Sequence, residues 1–489
     1  MKLIILLNFF VLFSSITFSQ TAINNSVQNY ANLIMNNNSL SNAAFSFYVK
    51  DMNTNEVVAD FNGTMSIPSA STMKLVTTAT ATQILGRGYK FETTIAYSGY
   101  LDTITGILNG DIYLIGGGDP TLGSRFFTKH DEERLFFNEW INEIKAAGIK
   151  RVQGKVIADG SLYNYDGVPA GWVWGDLGNY YGAGPAGLTV FDNMCRLQFE
   201  TGANAGDSTH IRCIEPHIPG LFVQNAVKSA NSKRDNAYVY GAPFSFDWFV
   251  QGSIPKAKAN FEVKASIPDP EYLFAIELDY ALNNAGIQTQ FKPTTARELG
   301  KKSAFVRPDV KTIFINKSPS LGTIMNLVNQ KSVNLFAEHV LCQISVKQYG
   351  YGSTASGAAY CEKYWQNKIG GGLFMSDGSG LSRSNAVSAK FLTDLLAYMH
   401  KSSNGEKFKA SLAVAGKSGT MYSIGKGTSA AGIVYGKSGT MNRIKSYAGY
   451  VDSKSGKKLA YAMIINNHSC SSSQIKKYFE TLMIKMANY

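Results

Sequence analysis

Strand-like runs near both ends of the chain constrain its fold more than any other feature. Two such runs, at residues 43–50 and 56–62, lie near the N-terminus, and a three-run meander at 432–437, 447–451 and 459–466 lies near the C-terminus. Strands from the two ends can pair with each other, which predicts one antiparallel sheet with helices on its faces. The long middle of the chain would then be an insertion into this sheet-forming domain.

A serine and a lysine three residues apart lie where the N-terminal runs lead into a helix. Ile67-Pro68 breaks the preceding strand, and residues 75–85 continue without Gly or Pro, which is typical of a helix start. Because residues i and i+3 share a helix face, the Lys74 amine can take the proton of the Ser71 hydroxyl and activate it as a nucleophile. The helix N-terminus can stabilise negative charge on the attacked carbonyl. This is the Ser-Lys form of nucleophilic catalysis.

The same spacing recurs four times, and sequence context separates the copies. The other pairs are Ser253/Lys256, Ser423/Lys426, Ser455/Lys458 and Ser473/Lys476. Proline or glycine surrounds the first three, so none of them starts a helix. The fourth lies in a C-terminal helix whose apolar stripe predicts packing on the sheet in preference to a membrane surface. Judged alone, the motif at Ser71 fits an N-cap serine with a surface lysine as well as it fits a nucleophile.

Two further motifs follow in chain order. Ser332-Val333-Asn334 opens a second helical stretch, and Lys437-Ser438-Gly439-Thr440 ends a strand-like run. Together with Ser71-x-x-Lys74 they match the three-part signature of penicillin-binding proteins and serine β-lactamases. Each motif is common by chance, but all three in this order and with this flanking structure are not.

Each residue type in the second and third motifs suits one step of an acyl transfer. Ser332 can pass a proton to the leaving group, and Asn334 can hold the substrate amide. Lys437 and Ser438 can hold a carboxylate, while Gly439 lets a substrate backbone lie against the strand edge.

The chain resembles the class C low-molecular-mass penicillin-binding proteins, D-alanyl-D-alanine carboxypeptidases and endopeptidases that trim peptidoglycan. Besides the three motifs, the resemblance rests on residues 116–122, 171–174, 181–183, 377–382 and 448–451. The chain departs from the family at Ser438, where Thr is usual, and at Val333, where Asp or Asn is common. The resemblance implies an α/β penicillin-binding-protein/β-lactamase-like sandwich. This fold has an antiparallel five-stranded sheet with helices on both faces, and mainly β accessory domains inserted into it.

The resemblance also implies a serine carboxypeptidase that acts on the D-alanyl-D-alanine end of peptidoglycan stem peptides. Ser71 attacks the penultimate carbonyl, Lys74 accepts its proton, and the backbone N–H groups of Ser71 and Thr440 are the natural oxyanion donors. Terminal D-Ala leaves, and water releases the acyl-enzyme. β-Lactam antibiotics such as penicillin acylate the same serine. The same machinery can cut cross-bridges in a cleft that admits a second stem.

Two other functions compete with this prediction. A serine β-lactamase shares the attack but needs an activated water for fast deacylation; no family-typical glutamate for that step can be assigned, and the large insertion favours the peptidase. A catalytically silent wall-binding scaffold is the alternative from a different class, and the presence of all three motifs argues against it. The sequence leaves open the balance of carboxypeptidase and endopeptidase activity, the preferred third stem residue and the oligomeric state.

The N-terminus has the pattern of a signal peptide. Lys2 precedes an apolar run at 3–13, and small and polar residues lead to a cleavage site near Ser19. The run is too short to span a bilayer of roughly 30 Å, so we expect export to the periplasm or the medium without a transmembrane segment.

The predicted domains are a signal peptide at 1–19, a catalytic domain at 20–95 and 300–489, and an inserted accessory region at 96–299. The resemblance suggests that this region holds two domains, one nested in the other.

Charge and composition narrow the choice of partners. The formal charge of +12 becomes +11 without Lys2, which suits an anionic cell-wall polymer or peripheral contact with lipid headgroups. Lys and Arg are scattered without a recognition motif, so we expect no nucleic-acid partner.

The five cysteines and six histidines lack metal-binding spacing, and we expect no metal and no cofactor. A Cys195–Cys213 disulfide across a predicted hairpin and buried free thiols fit the sequence equally well. The aromatic residues between 172 and 181 are expected to pack in a core or a domain interface instead of stacking on sugars.

Overall fold

The computed structural model describes residues 26–489, so the predicted signal peptide lies outside the described residues. In chain order, the described helices are α1 (26–35), α2 (Lys74–Ile84), α3 (Phe136–Ala146), α4 (Trp174–Leu177), α5 (Pro270–Asn284), α6 (Ala296–Leu299), α7 (Leu321–Lys331), α8 (Asn334–Tyr349), α9 (Thr354–Ile369), α10 (Ala389–Lys401), α11 (Gly405–Ala410) and α12 (Ser472–Ala487). The described strands are β1 (Ala44–Asp51), β2 (Val57–Phe61), β3 (Ser66–Ile67), β4 (Glu92–Tyr97), β5 (Tyr100–Asp102), β6 (Ile107–Asn109), β7 (Ile112–Gly116), β8 (Arg151–Val152), β9 (Val156–Asp159), β10 (Met194–Thr201), β11 (Thr209–Glu215), β12 (Phe222–Ala230), β13 (Asn236–Tyr240), β14 (Asp247–Pro255), β15 (Phe261–Ser266), β16 (Gln288–Thr289), β17 (Thr294–Thr295), β18 (Lys311–Lys317), β19 (Leu373–Phe374), β20 (Ala386–Ser388), β21 (Ala413–Val414), β22 (Val434–Met441), β23 (Ile444–Asp452) and β24 (Lys458–Asn466).

The described chain divides into two compact units. The terminal unit holds the described residues up to Thr82 together with Met325–Ser332 and Ala359–Tyr489, and the inserted unit holds Gln83–Ile324 and Val333–Ala358. This division groups residues 83–95, 300–324 and 333–358 with the insertion, whereas the sequence analysis assigned them to the catalytic domain at 20–95 and 300–489. The nesting of two accessory domains within the insertion stays a prediction.

The terminal unit is built on an antiparallel sheet whose strands come from both chain ends. Its order is β2-β1-β24-β23-β22-β21, and the two ends of the chain meet at the β1–β24 pair, as predicted. The sheet has six strands where five were expected. The extra strand, β21, has only two residues, and so short a strand shows no alternating pattern that a sequence could reveal.

Helices cover both faces of this sheet, as the sequence predicted. On one face the ring centroids of Phe45 and Phe479 of α12 lie 6.0 Å apart. On the other, the Tyr450 hydroxyl donates to the carbonyl oxygen of Leu396 in α10 at 2.9 Å. The α12 stripe that faces the sheet is fully buried, which confirms that this helix packs on the sheet; it consists of Ile475, Phe479, Leu482, Met483 and Met486. None of the described helices is long and apolar enough to cross a membrane.

The inserted unit contains four more sheets. Their strand orders are β17-β9-β7-β4-β18, β16-β8-β6-β5, β11-β10-β15 and β12-β14-β13. Helices α3 and α5 contribute to its core, where the rings of Trp140 and Phe274 stack at 5.8 Å. The inserted unit therefore contains the β-sheets that the family resemblance implies for this region.

The two cysteines of the predicted hairpin do not pair. The hairpin forms from β10 and β11, but Gln198 lies opposite Cys213, three residues beyond Cys195. Cys195 is buried, Cys213 is exposed, and both are free thiols. The disulfide hypothesis is wrong because the turn after Thr201 sets a register that keeps the two thiols apart.

The aromatic segment at 172–181 is only partly buried. Trp172 is buried, as expected, but Trp174 is 57% exposed and Tyr180 is 45% exposed. Core packing therefore does not explain these two rings. Trp174 lies in the four-residue helix α4 and Tyr180 in a 3-10 turn, and elements this short have no periodicity from which burial can be predicted.

Candidate active site

Ser71 and Lys74 meet at the turn that leads into α2. Residues Ala70–Met73 form a 3-10 turn, and α2 begins at Lys74. The Lys74 Nζ donates to the Ser71 Oγ at 3.0 Å. Lys74 is fully buried, whereas Ser71 is partly exposed. The spacing of three residues thus brings an amine beside an accessible hydroxyl, which is the arrangement that a lysine-activated serine needs.

A loop to which the sequence analysis assigned no role also holds Lys74. The Lys74 Nζ donates to the carbonyl oxygen of Ser379 at 2.6 Å. Next to it, the Thr77 Oγ1 donates to the carbonyl oxygen of Gly378 at 2.7 Å. Both carbonyls belong to the segment 377–382, which contributed to the family resemblance but was given no role in the chemistry.

Asp377 organises this loop from the inside. Its carboxylate accepts the backbone N–H groups of Gly380 at 2.7 Å and Ser382 at 2.5 Å, and the Asn385 side chain at 2.8 Å. Gly380 has a φ of +80°, and a Cβ added there would lie 2.0 Å from the carbonyl oxygen of Ala70. Only glycine allows so close an approach, so the loop is pressed against the 3-10 turn.

The turn is also attached to the sheet. The Ser446 Oγ of β23 donates to the carbonyl oxygen of Ser69 at 2.5 Å and lies 3.2 Å from the Thr72 Oγ1. A Cβ added to Gly439 of β22 would lie 2.6 Å from the Ser69 oxygen and 2.9 Å from the Ser71 backbone nitrogen. The glycine of the third motif therefore lets β22 lie directly against the Ser71 N–H group.

Lys437 and Ser332, from the third and second motifs, form a direct pair. The Lys437 Nζ donates to the Ser332 Oγ at 2.8 Å and to the carbonyl oxygen of Ser438 at 2.7 Å. Burial, together with the charges of Lys74 and Lys445, holds the pKa of Lys437 well below its usual value. Ser332 has a φ of +63°, a strained conformation of the kind that clusters at functional sites.

Asn334 belongs to the inserted unit, where it opens α8. Its Nδ2 donates to the carbonyl oxygen of Tyr181 at 2.8 Å, and Tyr181 is itself part of a segment that carried the family resemblance. The other seven predicted site residues lie in the terminal unit: Ser71, Lys74, Ser332, Lys437, Ser438, Gly439 and Thr440. The role of Asn334 toward substrate stays a prediction.

The first Lys-Ser-Gly-Thr copy, at 417–420, contacts the third motif through its threonine hydroxyl and not through its lysine. Lys417 is exposed, and its Nζ lies over Gly432, 2.8 Å from where a Cβ would stand. Thr420 of the same copy accepts a hydrogen bond from the Ser438 Oγ at 2.8 Å. Sequence reasoning missed this contact because the two residues lie on separate segments that meet only in the fold.

The remaining Ser-x-x-Lys matches look different from Ser71. None of these four pairs, all within the described residues, shows a hydrogen bond between its own serine and lysine; Lys476 donates instead to Ser423 at 2.8 Å. Ser253 lies on strand β14, not at a helix start.

The part of the chain that the structure describes also holds no group of three or more His, Cys, Asp or Glu side chains that could bind a metal ion.

Comparisons with known proteins identify the family of the chain. The model of the D-Ala-D-Ala carboxypeptidase 3 (S13) family matches residues 26–486. The chain is 23% identical to D-alanyl-D-alanine carboxypeptidase DacB of Haemophilus influenzae, with 88% of this chain and 87% of that protein covered. It is 28% identical to a D-alanyl-D-alanine carboxypeptidase of Actinomadura sp., with 89% and 80% covered.

Among solved structures, the chain matches penicillin binding protein 4 (dacB) from Haemophilus influenzae. The TM-score is 0.79 at 22% sequence identity, and the match covers 91% of this chain and 97% of the other. This likeness shows that the fold is the penicillin-binding-protein/β-lactamase-like fold, an α/β architecture with several sheets.

Proposed function

The chain belongs to the D-Ala-D-Ala carboxypeptidase 3 (S13) family and is a serine-type D-Ala-D-Ala carboxypeptidase, and we propose that Ser71 is its nucleophile and Lys74 the base. One observation carries this assignment: the Lys74 Nζ, fully buried, lies 3.0 Å from the partly exposed Ser71 Oγ. In its deprotonated form, the Lys74 amine takes the Ser71 proton while the serine oxygen attacks the carbonyl of the penultimate D-Ala. The Ser379 carbonyl keeps the amine pointed at its partner.

The second step expels terminal D-Ala, and the Ser332–Lys437 pair supports it. The leaving nitrogen must gain a proton as its bond to the acyl carbon breaks. The Ser332 hydroxyl can deliver that proton and take one in turn from the protonated Lys437 amine 2.8 Å away. The proton that Lys74 takes from Ser71 balances the proton that Lys437 gives up. Since the pKa of Lys437 lies well below its usual value, this amine gives up a proton more readily than an ordinary lysine.

Strand β22 supplies the binding surface in this proposal. The backbone N–H groups of Ser71 and Thr440 act as oxyanion donors, and the approach of Gly439 to the Ser71 nitrogen supports such a pairing. The Ser438 hydroxyl binds the carboxylate of the substrate. The substrate backbone lies along β22 as an added strand.

The substrates we propose are peptidoglycan stem peptides that end in D-Ala-D-Ala. Cross-bridges between stems are a second substrate, cut by the same acyl transfer, and β-lactams acylate Ser71 covalently. A wall substrate requires export, in keeping with the signal-peptide pattern at 1–19. The relatives that carry a carboxypeptidase name support this reaction over a β-lactamase or a silent scaffold.

Penicillin labelling followed by mass mapping tests the nucleophile. We expect one penicilloyl adduct, on the peptide that contains Ser71, and loss of the adduct in Ser71→Ala. Ser473→Ala is the matched control, because it removes the serine of another Ser-x-x-Lys pair at a helix start. An adduct on another serine, or undiminished labelling of Ser71→Ala, would refute the assignment. Mass-resolved digestion of purified muropeptides then measures release of D-Ala against cleavage of cross-bridges.

A further inference from the structure

One sheet of the inserted unit carries exposed aromatic side chains on its outer face. Strands β12, β14 and β13 form this sheet, and successive side chains of a strand point to opposite faces. Val227, Val239 and Val250 are buried in the core of the unit. The alternate positions form the opposite face, where Phe222 is 62% exposed and Tyr238 is 49% exposed. This sheet therefore has one face for the core and one accessible face.

The aromatic rings on the accessible face form a strip across all three strands. We use the term aromatic strip for Trp174, Tyr240, Phe249, Tyr238 and Phe222. The ring centroids of Trp174 and Tyr240 lie 6.2 Å apart, and those of Tyr240 and Phe249 lie 5.9 Å apart. Tyr238 precedes Tyr240 by two residues on β13, and Phe222 lies on β12 one row away from Phe249. The strip thus includes the exposed Trp174 ring, which core packing does not explain.

Amide side chains lie beside the aromatic strip. Gln224 of β12 is the register partner of Phe249, and Gln251 of β14 is the register partner of Tyr238. Both glutamines are exposed. A glutamine amide both donates and accepts hydrogen bonds. The accessible face therefore suits a ligand that has an apolar side and a rim of polar groups.

The charges on this face favour a neutral ligand. At the outward positions of the three strands, all within the described residues, the charged side chains are Lys228 and Asp247, which have opposite signs. The face therefore has no net charge, although the formal charge of the whole chain is +12. An anionic lipid or an anionic polymer would find no excess of positive charge here.

The aromatic strip starts at a segment that also contacts the second motif. Trp174 is the first residue of α4, and the Tyr181 hydroxyl donates to the Asp176 carboxylate of this helix at 3.2 Å. The carbonyl oxygen of Tyr181 accepts the hydrogen bond from Asn334. A polymer that lies on the strip therefore extends away from the segment that holds Asn334.

We propose that the aromatic strip binds the glycan strand that carries the stem peptides, a polymer of N-acetylated amino sugars. This inference rests on the proposed function, because that function makes peptidoglycan the substrate. A pyranose ring can stack its apolar C–H face on an aromatic ring, while its hydroxyl and acetamido groups bond with amide side chains. Tyr and Trp rings supply rigid contact area at a low entropic cost. Binding of the glycan would raise the effective concentration of the attached stems at the active site.

The test measures sugar binding separately from catalysis. Calorimetric titration with a β-1,4-linked oligomer of N-acetylglucosamine gives the Kd for the wild type and for the inactive Ser71→Ala. Phe222→Ala and Tyr238→Ala each remove one exposed ring, and Tyr238→Phe keeps the ring without the hydroxyl. Tyr280→Ala is the matched control, because it removes a ring of the same unit, on α5, that is 63% exposed.

A second readout compares two substrates. Release of D-Ala is measured from intact peptidoglycan sacculi and from a soluble D-Ala-D-Ala peptide, and the ratio of the two rates isolates the contribution of the glycan. Thermal unfolding of each variant reports its fold. Phe222→Ala and Tyr238→Ala change different strands, so each tests the proposal without the other.

We expect the Kd to rise about fivefold or more in Phe222→Ala and in Tyr238→Ala, the scale of one lost stacking contact. The ratio of sacculi to peptide should fall in the same two variants. Tyr238→Phe and Tyr280→Ala should match the wild type in Kd and in ratio, and Ser71→Ala should match it in Kd.

A wild type that does not bind the sugar oligomer would overturn the proposal, and so would an unchanged Kd in both alanine variants. A variant of the strip that changes the oligomeric state instead of the Kd would show a protein interface and overturn it too. Failure of the proposed function looks different: Ser71→Ala would still turn over peptide or bind penicillin.

Discussion

The Lys74 amine donates to the Ser379 carbonyl oxygen at 2.6 Å, across 305 residues of sequence. The proposed base is therefore aimed from two directions, by the α2 helix that carries it and by the loop at 377–382. The i, i+3 spacing alone would leave the long lysine side chain free to rotate. The loop makes the orientation of the catalytic amine depend on the interior hydrogen bonds of Asp377.

Asp377→Ala should weaken catalysis by loosening this loop. Without the carboxylate, the N–H groups of Gly380 and Ser382 lose their acceptor, and the Ser379 carbonyl is no longer held against the amine. We expect the rate of acylation by penicillin to fall about tenfold or more and its pH profile to shift, because the base loses a fixed acceptor. Stopped-flow acylation across pH measures both effects.

The control for this variant is Arg383→Ala, which truncates an exposed side chain of the neighbouring loop. Its acylation rate and pH profile should match the wild type. Asp377→Asn keeps one acceptor oxygen and should recover part of the rate. An Asp377→Ala enzyme that acylates at the normal rate with an unchanged pH profile would contradict the positioning role of the loop.

Lys74→Met should abolish most acylation while keeping the fold. Methionine fills much of the volume of the buried lysine stem but cannot accept a proton, and loss of a general base usually costs about 10²-fold or more. We expect the Tm to stay within a few degrees of the wild type. Mass spectrometry of the penicilloyl adduct over time gives the rate. Near-normal acylation in this variant would rule out Lys74 as the base.

The two Lys-Ser-Gly-Thr copies provide a matched pair of variants. Lys437→Ala removes a buried amine that contacts Ser332, so we expect kcat/KM for D-Ala-D-Ala peptides to fall about 10²-fold or more. Lys417→Ala removes an exposed amine over a glycine and should change kcat/KM by less than about threefold. Steady-state kinetics and Tm are compared for both. The assignment fails if Lys417→Ala shows the larger loss with its fold intact.

Glu271 should make stability depend on pH. It lies in the first turn of α5, and burial, with the charges of Asp269 and Asp159, raises its pKa to about 8 from an ordinary value of 4.5. The folded state therefore binds this proton more tightly than the unfolded state. The stabilising contribution is complete below pH 4.5 and is lost as pH rises through 8.

Glu271→Gln removes this titration. The variant should exceed the wild type in free energy of unfolding by about 1 kcal/mol or more at pH 8, and the advantage should vanish near pH 4.5. Urea unfolding at the two pH values measures the difference. The same difference at both pH values would show that the Glu271 proton is not linked to folding.

Several features could be predicted from the sequence because their causes are local. The Ser71 and Lys74 side chains meet because residues three apart share a helix face. Five of the six strands of the terminal sheet could be predicted from strand-like runs bounded by turn residues. The apolar stripe in the sequence of α12 indicated that this helix packs on the sheet. Each of these sequence patterns lies within about 15 consecutive residues.

The three motifs determined the family before any contact was visible, since their order and flanking elements limit which groups can act together. The family match over residues 26–486 bears this out. The assignment of individual roles to these residues goes further than the match and stays a proposal.

The contacts between distant segments follow from the tertiary fold and could not be predicted. The Ser379 carbonyl at Lys74, the Thr420 hydroxyl at Ser438 and the opposition of Cys213 to Gln198 each depend on how separate segments meet. Register and loop placement are set by packing over the whole domain, and a change of a few residues moves a side chain away from its partner. Local sequence therefore determined which groups carry the chemistry, and long-range packing decided which partners hold them in place.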